Sequence, residues 1–151
     1  MRKIVTICTA NICRSPVAEA ALRAALAAHL DTPPEVSSAG LHALVGRGID
    51  PGSAEAAEAR NIPLHDHASR QFTDEIGREN DVILVMETHH RQEIASRWPH
   101  LLGKTFLLGH FDGGRQVPDP YRMGPGMQAQ AVEVISVGSA SWAEQIRKML
   151  A

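Results

Sequence analysis

The stretch IVTICTANICRSPVAEAAL, residues 4–22, decides how the chain folds. Ile4, Val5, Ile7 and Cys8 are apolar or β-branched in a short run, which predicts a buried strand over residues 3–8. Ser15 offers a helix N-cap and Pro16 suits a first helical position. Leu22, Leu26 and Leu30 then recur every fourth residue, which predicts a helix from about Pro16 to Leu30. Strand, tight loop, helix is the opening of an α/β fold. The loop between them holds both cysteines of the chain, Cys8 and Cys13.

Outward from that stretch, the alternation continues. EVSSAG (35–40) reads as a second strand, and GRGIDPG (46–52) as a loop. Pro51 opens a helix through Ala59. DVILVM (81–86) is a third strand, residues 88–97 a helix stopped by Trp98-Pro99, and KTFLLG (104–109) a fourth strand. HFDGGRQVPDPYRMGPG (110–126) is a long loop. A last helix covers Met127 to Leu150, with Ile135, Ser139, Trp142, Ile146 and Met149 on one face, although Gly138 weakens it by about 1 kcal/mol. Strands alternating with helices predict a parallel sheet covered on both faces. Ligands of such sheets bind beyond the carboxyl ends of the strands, where Cys8 lies.

Composition narrows the function. The 151 residues read as one domain, with 44% hydrophobic and 21% charged residues. A net charge of −2 gives no general attraction to nucleic acid or to an anionic membrane. No apolar run reaches membrane-spanning length. Two cysteines in a chain that reads as intracellular predict reduced thiols in the cytoplasm, not a disulfide framework.

The Cys8 loop carries the chemistry. Five residues, Thr9, Ala10, Asn11, Ile12 and Cys13, separate Cys8 from Arg14 and Ser15. A strand-to-helix loop of that length can point successive N–H groups inward and form an anion nest, backed by the positive end of the helix dipole. Arg14 can hold two phosphate oxygens at once. Such an electropositive cup favours the thiolate, the form that attacks phosphorus. The leaving oxygen needs a proton, and Asp119, between Pro118 and Pro120, is the candidate general acid. Tyr121 could wall an aromatic substrate. Either cysteine or aspartate alone would read as packing or as a turn; together they do not. His89 and His90 read as a bland pair at a helix start, with no common metal ligand. His42, His65 and His100 read as surface residues, and EAAEAR (55–60) as a solvated helix face.

CTANICRSP resembles the signature of the low-molecular-weight protein tyrosine phosphatases. SSAGL (37–41), HASRQ (67–71), DVILVMETHHRQ (81–92) and VPDPYR (117–122) follow in the order expected of that family. SAGLHALVGRGIDP and GKTFLLGHFD are most similar to a bacterial branch linked to capsule or exopolysaccharide export. The resemblance implies a doubly wound sheet of four parallel strands in the order 2-1-3-4, with no metal and no cofactor. It implies Cys8 as nucleophile, Arg14 as phosphate ligand and Asp119 as acid and then base. It implies that Ser15 donates to the thiolate, that Asn11, Ser38 and His67 brace the loop, and that Leu44 and Tyr121 flank the substrate ring. The implied partner is a phosphotyrosine protein, a tyrosine autokinase in that branch.

Two features qualify this. Ala10 stands where the family usually has glycine, and a positive φ there would cost energy. Cys13 is either packing or a redox partner able to trap oxidised Cys8 as a disulfide. Three alternatives share parts of the pattern. An arsenate reductase of this fold would need further cysteines, and none follows Cys13. A phosphoarginine phosphatase would carry threonine in place of Ile12. A non-catalytic phosphotyrosine-binding module would not need both Cys8 and Asp119.

Overall fold

The computed structural model describes residues 1–151. Strand β1, Lys3–Cys8, forms the middle of a parallel sheet with β2 (Glu35–Gly40) on one side and β3 (Val82–Val85) on the other; β4 (Thr105–Leu107) completes it beyond β3. The strand order is therefore 2-1-3-4. Cys8 pairs in register with Gly40, and Ile7 with both Ala39 and Val85. The period-2 alternation of β1 divides the core. Ile4 and Cys8 face a cluster with Val17, Leu22 and Leu26 of α1 (Arg14–Ala27) and with Ile135, Trp142 and Ile146 of α5 (Pro125–Leu150). Val5 and Ile7 face the opposite cluster, with Phe72, with Ile94 of α4 (Thr88–Arg97) and with Leu101. Helix α2 (Pro51–Ala59) adds Ala57 to the first cluster. The inner strands β1 and β3 are buried on both faces, which is why they read as near-continuous apolar runs.

Several boundaries differ from the sequence reading. Helix α1 begins at Arg14 after an N-cap at Cys13 that makes no side-chain bond. Ser15 lies inside the helix, not at its cap, because its hydroxyl is engaged by the sulfur of Cys8. The helix stops at Ala27, and the N–H of Leu30 closes back onto the Leu26 carbonyl. Helix α3 (Asp74–Glu79) and a 3-10 turn over Pro99–Lys104 were unforeseen; six residues each are too few to display a period. The turn absorbs Lys104, so β4 is three residues long. Helix α5 begins at Pro125 and continues through Gly138, which lies against Leu108; a Cβ there would meet the Leu108 carbonyl at 3.0 Å. Met149, placed on the buried face from its spacing, is 63% exposed, because the helix end runs past the sheet.

Candidate active site

Residues 8–15 curl from the end of β1 into α1. The carbonyls of five consecutive residues are turned outward into the framework. Cys8 accepts from the N–H of Leu41, Thr9 from His42, Ala10 from Leu44 and Ile12 from Asp50, while the Asn11 carbonyl accepts from Nε2 of His67 at 2.7 Å. With the carbonyls outside, the N–H groups are left for the interior. Those of Thr9, Ala10, Ile12 and Cys13 donate to no protein atom, and that of Asn11 points at Sγ of Cys8, 3.3 Å away. Unpartnered, converging amides form an anion nest.

Asn11 makes this geometry possible. It is fully buried and is the loop residue with a left-handed backbone, φ 61°. Asparagine tolerates that region better than other side chains do. Its amide donates to Ser15 Oγ at 2.8 Å and to Ser38 Oγ at 3.0 Å, and its Oδ1 accepts from the N–H of Arg70. Because Ser15 Oγ accepts from Asn11, its own proton is free for Cys8 Sγ, 2.9 Å away. The sulfur thus receives two donors. Ala10, the suspected weak point, does not adopt positive φ, so alanine carries no backbone penalty there.

Arg14 is 3% exposed. Its Nη1 donates to Glu87 Oε2 at 2.7 Å and to the Val117 carbonyl at 2.9 Å, while Nε and Nη2 donate to no protein atom. Burial pushes the Glu87 carboxyl up, but its bonds to Arg14 and His89 outweigh this and hold it below the usual carboxylate range. Cys8, Thr9, Ala10, Ile12, Cys13, Arg14, Leu44, Asp119 and Tyr121 line one cavity of ≈ 210 Å³. Asp119 is exposed, and its Oδ1 accepts from the Tyr121 N–H at 3.1 Å, which holds the loop as an Asx turn. The Arg122 guanidinium stacks over the Tyr121 ring at 5.0 Å. Cys13 is buried, and burial pushes its thiol up to about 12, against a lowering bond from Ser53.

A family model for low molecular weight phosphotyrosine protein phosphatase matches residues 3–151. The chain belongs to that family. Within it, the tyrosine phosphatase Wzb of Salmonella typhimurium is 37% identical over 144 residues, covering 95% of this chain and 93% of Wzb. The crystal structure of Wzb from Escherichia coli K30 with sulphate superposes with a TM-score of 0.89 at 36% identity, over 95% of this chain and 97% of that one. The YwlE arginine phosphatase, in a Cys-to-Ser variant with a phosphorylated active-site serine, matches with a TM-score of 0.87 at 30% identity, over 97% of this chain and 96% of YwlE.

The structure thus brings together every residue singled out in the loop, in its bracing set and around the ring site. Sequence reasoning missed Glu87, Arg70 and His90. His90, read as bland, is 1% exposed and bonds to Thr9. The signal was available: Glu87 and His90 have the three-residue spacing of a capping box, and the structure has that box at the start of α4. The reading that His89 and His90 share no ligand also needs correction, since ligand atoms of Glu87, His89 and His90 lie within 4.8 Å of one another. Both nitrogens of His90 are already hydrogen-bonded, so that ring has no free lone pair to offer an ion.

Proposed function

We propose that this chain hydrolyses phosphotyrosine in proteins through a phosphocysteine on Cys8. One arrangement carries the reading: the Cys8 sulfur lies at a row of unpartnered loop N–H groups, in a cavity also lined by Arg14, Asp119, Leu44 and Tyr121. The N–H groups and the free edge of Arg14 would hold the phosphoryl oxygens and the charge that builds on them in the transition state. Sulfur attacks phosphorus as the tyrosyl oxygen leaves, and Asp119 gives that oxygen its proton. Asp119 then takes a proton from the water that attacks the phosphocysteine. Phosphate departs, and Cys8 is regenerated with the Ser15 hydroxyl and the Asn11 N–H as donors.

The aryl ester is favoured by the walls. Leu44 and Tyr121 offer apolar faces at the mouth, and a thiol at the floor is reached by a long, flat substituent. Ile12 in the cradle favours the same class over phosphoarginine. Similarity of SAGLHALVGRGIDP and GKTFLLGHFD to the capsule and exopolysaccharide branch supports a tyrosine autokinase as substrate. A cytoplasmic site of action belongs to the same proposal, since a nucleophilic thiol needs a reducing compartment.

The test is turnover of matched phosphotyrosine, phosphoserine and phosphoarginine peptides, with chelator present. The proposal expects kcat/KM for phosphotyrosine to exceed the others by orders of magnitude, and folded Cys8→Ser to show no turnover. Comparable rates on phosphoserine, or an active Cys8→Ser protein, would overturn it.

A further inference from the structure

We infer that His90 is a positioning residue for phosphoryl transfer: its imidazole ties Thr9, beside the nucleophile, and Glu87, the partner of Arg14, into one frame. The inference rests on the proposed function of the site. The His90 ring is buried at the start of α4. Its Nδ1 accepts the backbone N–H of Glu87 at 3.1 Å. The ring proton therefore sits on Nε2, which faces Thr9 Oγ1 at 3.0 Å and donates to it. The Glu87 side chain in turn accepts the His90 backbone N–H, closing the capping box, and its carboxylate holds Arg14.

The two groups that must meet the phosphoryl group stand on different elements. Cys8 ends β1 and Arg14 begins α1. Nothing in those elements fixes the guanidinium direction relative to the sulfur. Outside them the guanidinium is held by the Glu87 carboxylate and the Val117 carbonyl, and the imidazole links the first of these holders to Thr9, beside the sulfur. The frame requires a neutral ring. A protonated His90 would turn Nδ1–H against the Glu87 N–H, donor against donor. The charged or titratable groups facing it are Arg14 from α1, His42 from the loop after β2, and Glu87 and His89 from its own helix start. A small shift is enough for an effect, since a displacement of about 1 Å in a catalytic group costs on the order of 100-fold.

The test is a double-mutant cycle on p-nitrophenyl phosphate and a phosphotyrosine peptide. Thr9→Val keeps the volume and removes Oγ1. His90→Asn is too short to reach Thr9. Each single variant should lose roughly tenfold in kcat with KM within about twofold, and the double variant should lose no more than the worse single. His90→Gln, whose amide N–H reaches the place of Nε2, should recover most of the loss. Folded single variants within about twofold of wild type, or losses that multiply in the double variant, would overturn the inference. An inactive wild type would overturn the proposed function instead. In the wild type, ¹⁵N spectra should show His90 protonated at Nε2 with Nδ1 bare; the opposite tautomer contradicts the frame regardless of how the variants fold.

Discussion

At the scale of single residues, the two cysteines divide sharply. Both are buried and both line the cavity, but the Cys8 sulfur has two donors, whereas the Cys13 thiol is pushed up to about 12, first by desolvation and further by the charges of Asp50 and Cys8. This bears on the redox reading. Peroxide would convert the Cys8 thiol to a sulfenic acid and water, and Cys13 could then displace water to form the disulfide. The attacking species is the Cys13 thiolate. With the thiol held near 12, its thiolate fraction rises about tenfold per pH unit through the neutral range. Closure is therefore expected to be slow near pH 7 and faster near pH 9. After a fixed peroxide pulse, the share of activity that thiol reductant restores should increase with pH in wild type and stay low in Cys13→Ser. Equal recovery in the two proteins at every pH would make Cys13 a packing residue. The sequence displays both cysteines but not this asymmetry, which comes from where Ser53 and the α5 residues Ala131, Val132 and Ile135 close around Cys13 and from the nearby charge of Asp50.

At the scale of elements, the inner strands were legible because each is buried on both faces, so that IVTIC and VILV read as strands without tertiary information. The bracing of the cradle was less so, because it depends on backbones that are remote in sequence. Gly40, at the end of β2, is one case: a Cβ there would lie 2.6 Å from the Thr9 carbonyl. Thr9 belongs to the cradle and that carbonyl already accepts from His42, so neither side can yield freely. Gly40→Ala should cost about 1–3 kcal/mol by overpacking and lower kcat/KM as the loop shifts, measured by urea unfolding and aryl phosphate turnover. Wild-type values in both would show that the loop has slack. Helix α4 supplies the second case. Burial, then the charge of Arg14, pushes His90 down to about 3 from its usual 6.5. Between those values the unfolded chain binds a proton that the native chain does not, so stability is complete above pH 6.5 and declines as pH falls below it. The slope is at most about 1.4 kcal/mol per unit. His90→Gln should flatten the decline between pH 6.5 and 5; an unchanged slope would assign the acid sensitivity to other groups.

At the scale of the whole molecule, the order 2-1-3-4 places β1 centrally, so its carboxyl end opens between the loops that follow β2 and β3 and the long loop before α5. That is how Leu44, Arg14 and Asp119, far apart in sequence, come to line one cavity with Cys8. The motif residues were legible because cysteine, arginine and a proline-flanked aspartate are scarce and chemically distinctive. The spacing of Glu87 and His90 signals only a capped helix start; their contacts with the cradle follow from docking α4 against it. On the proposed mechanism, one cysteine carries the phosphoryl group while one aspartate serves both half-reactions. Asp119→Ala with p-nitrophenyl phosphate separates the two half-reactions. That leaving group needs little protonation, so the first step proceeds, while the water in the second step lacks its base. Intact-protein mass spectrometry after rapid acid quench should show a stoichiometric phosphoryl adduct, mapped to Cys8, in Asp119→Ala and far less of it in wild type. Steady turnover by Asp119→Ala with no adduct, or an adduct on another residue, would rule out this mechanism.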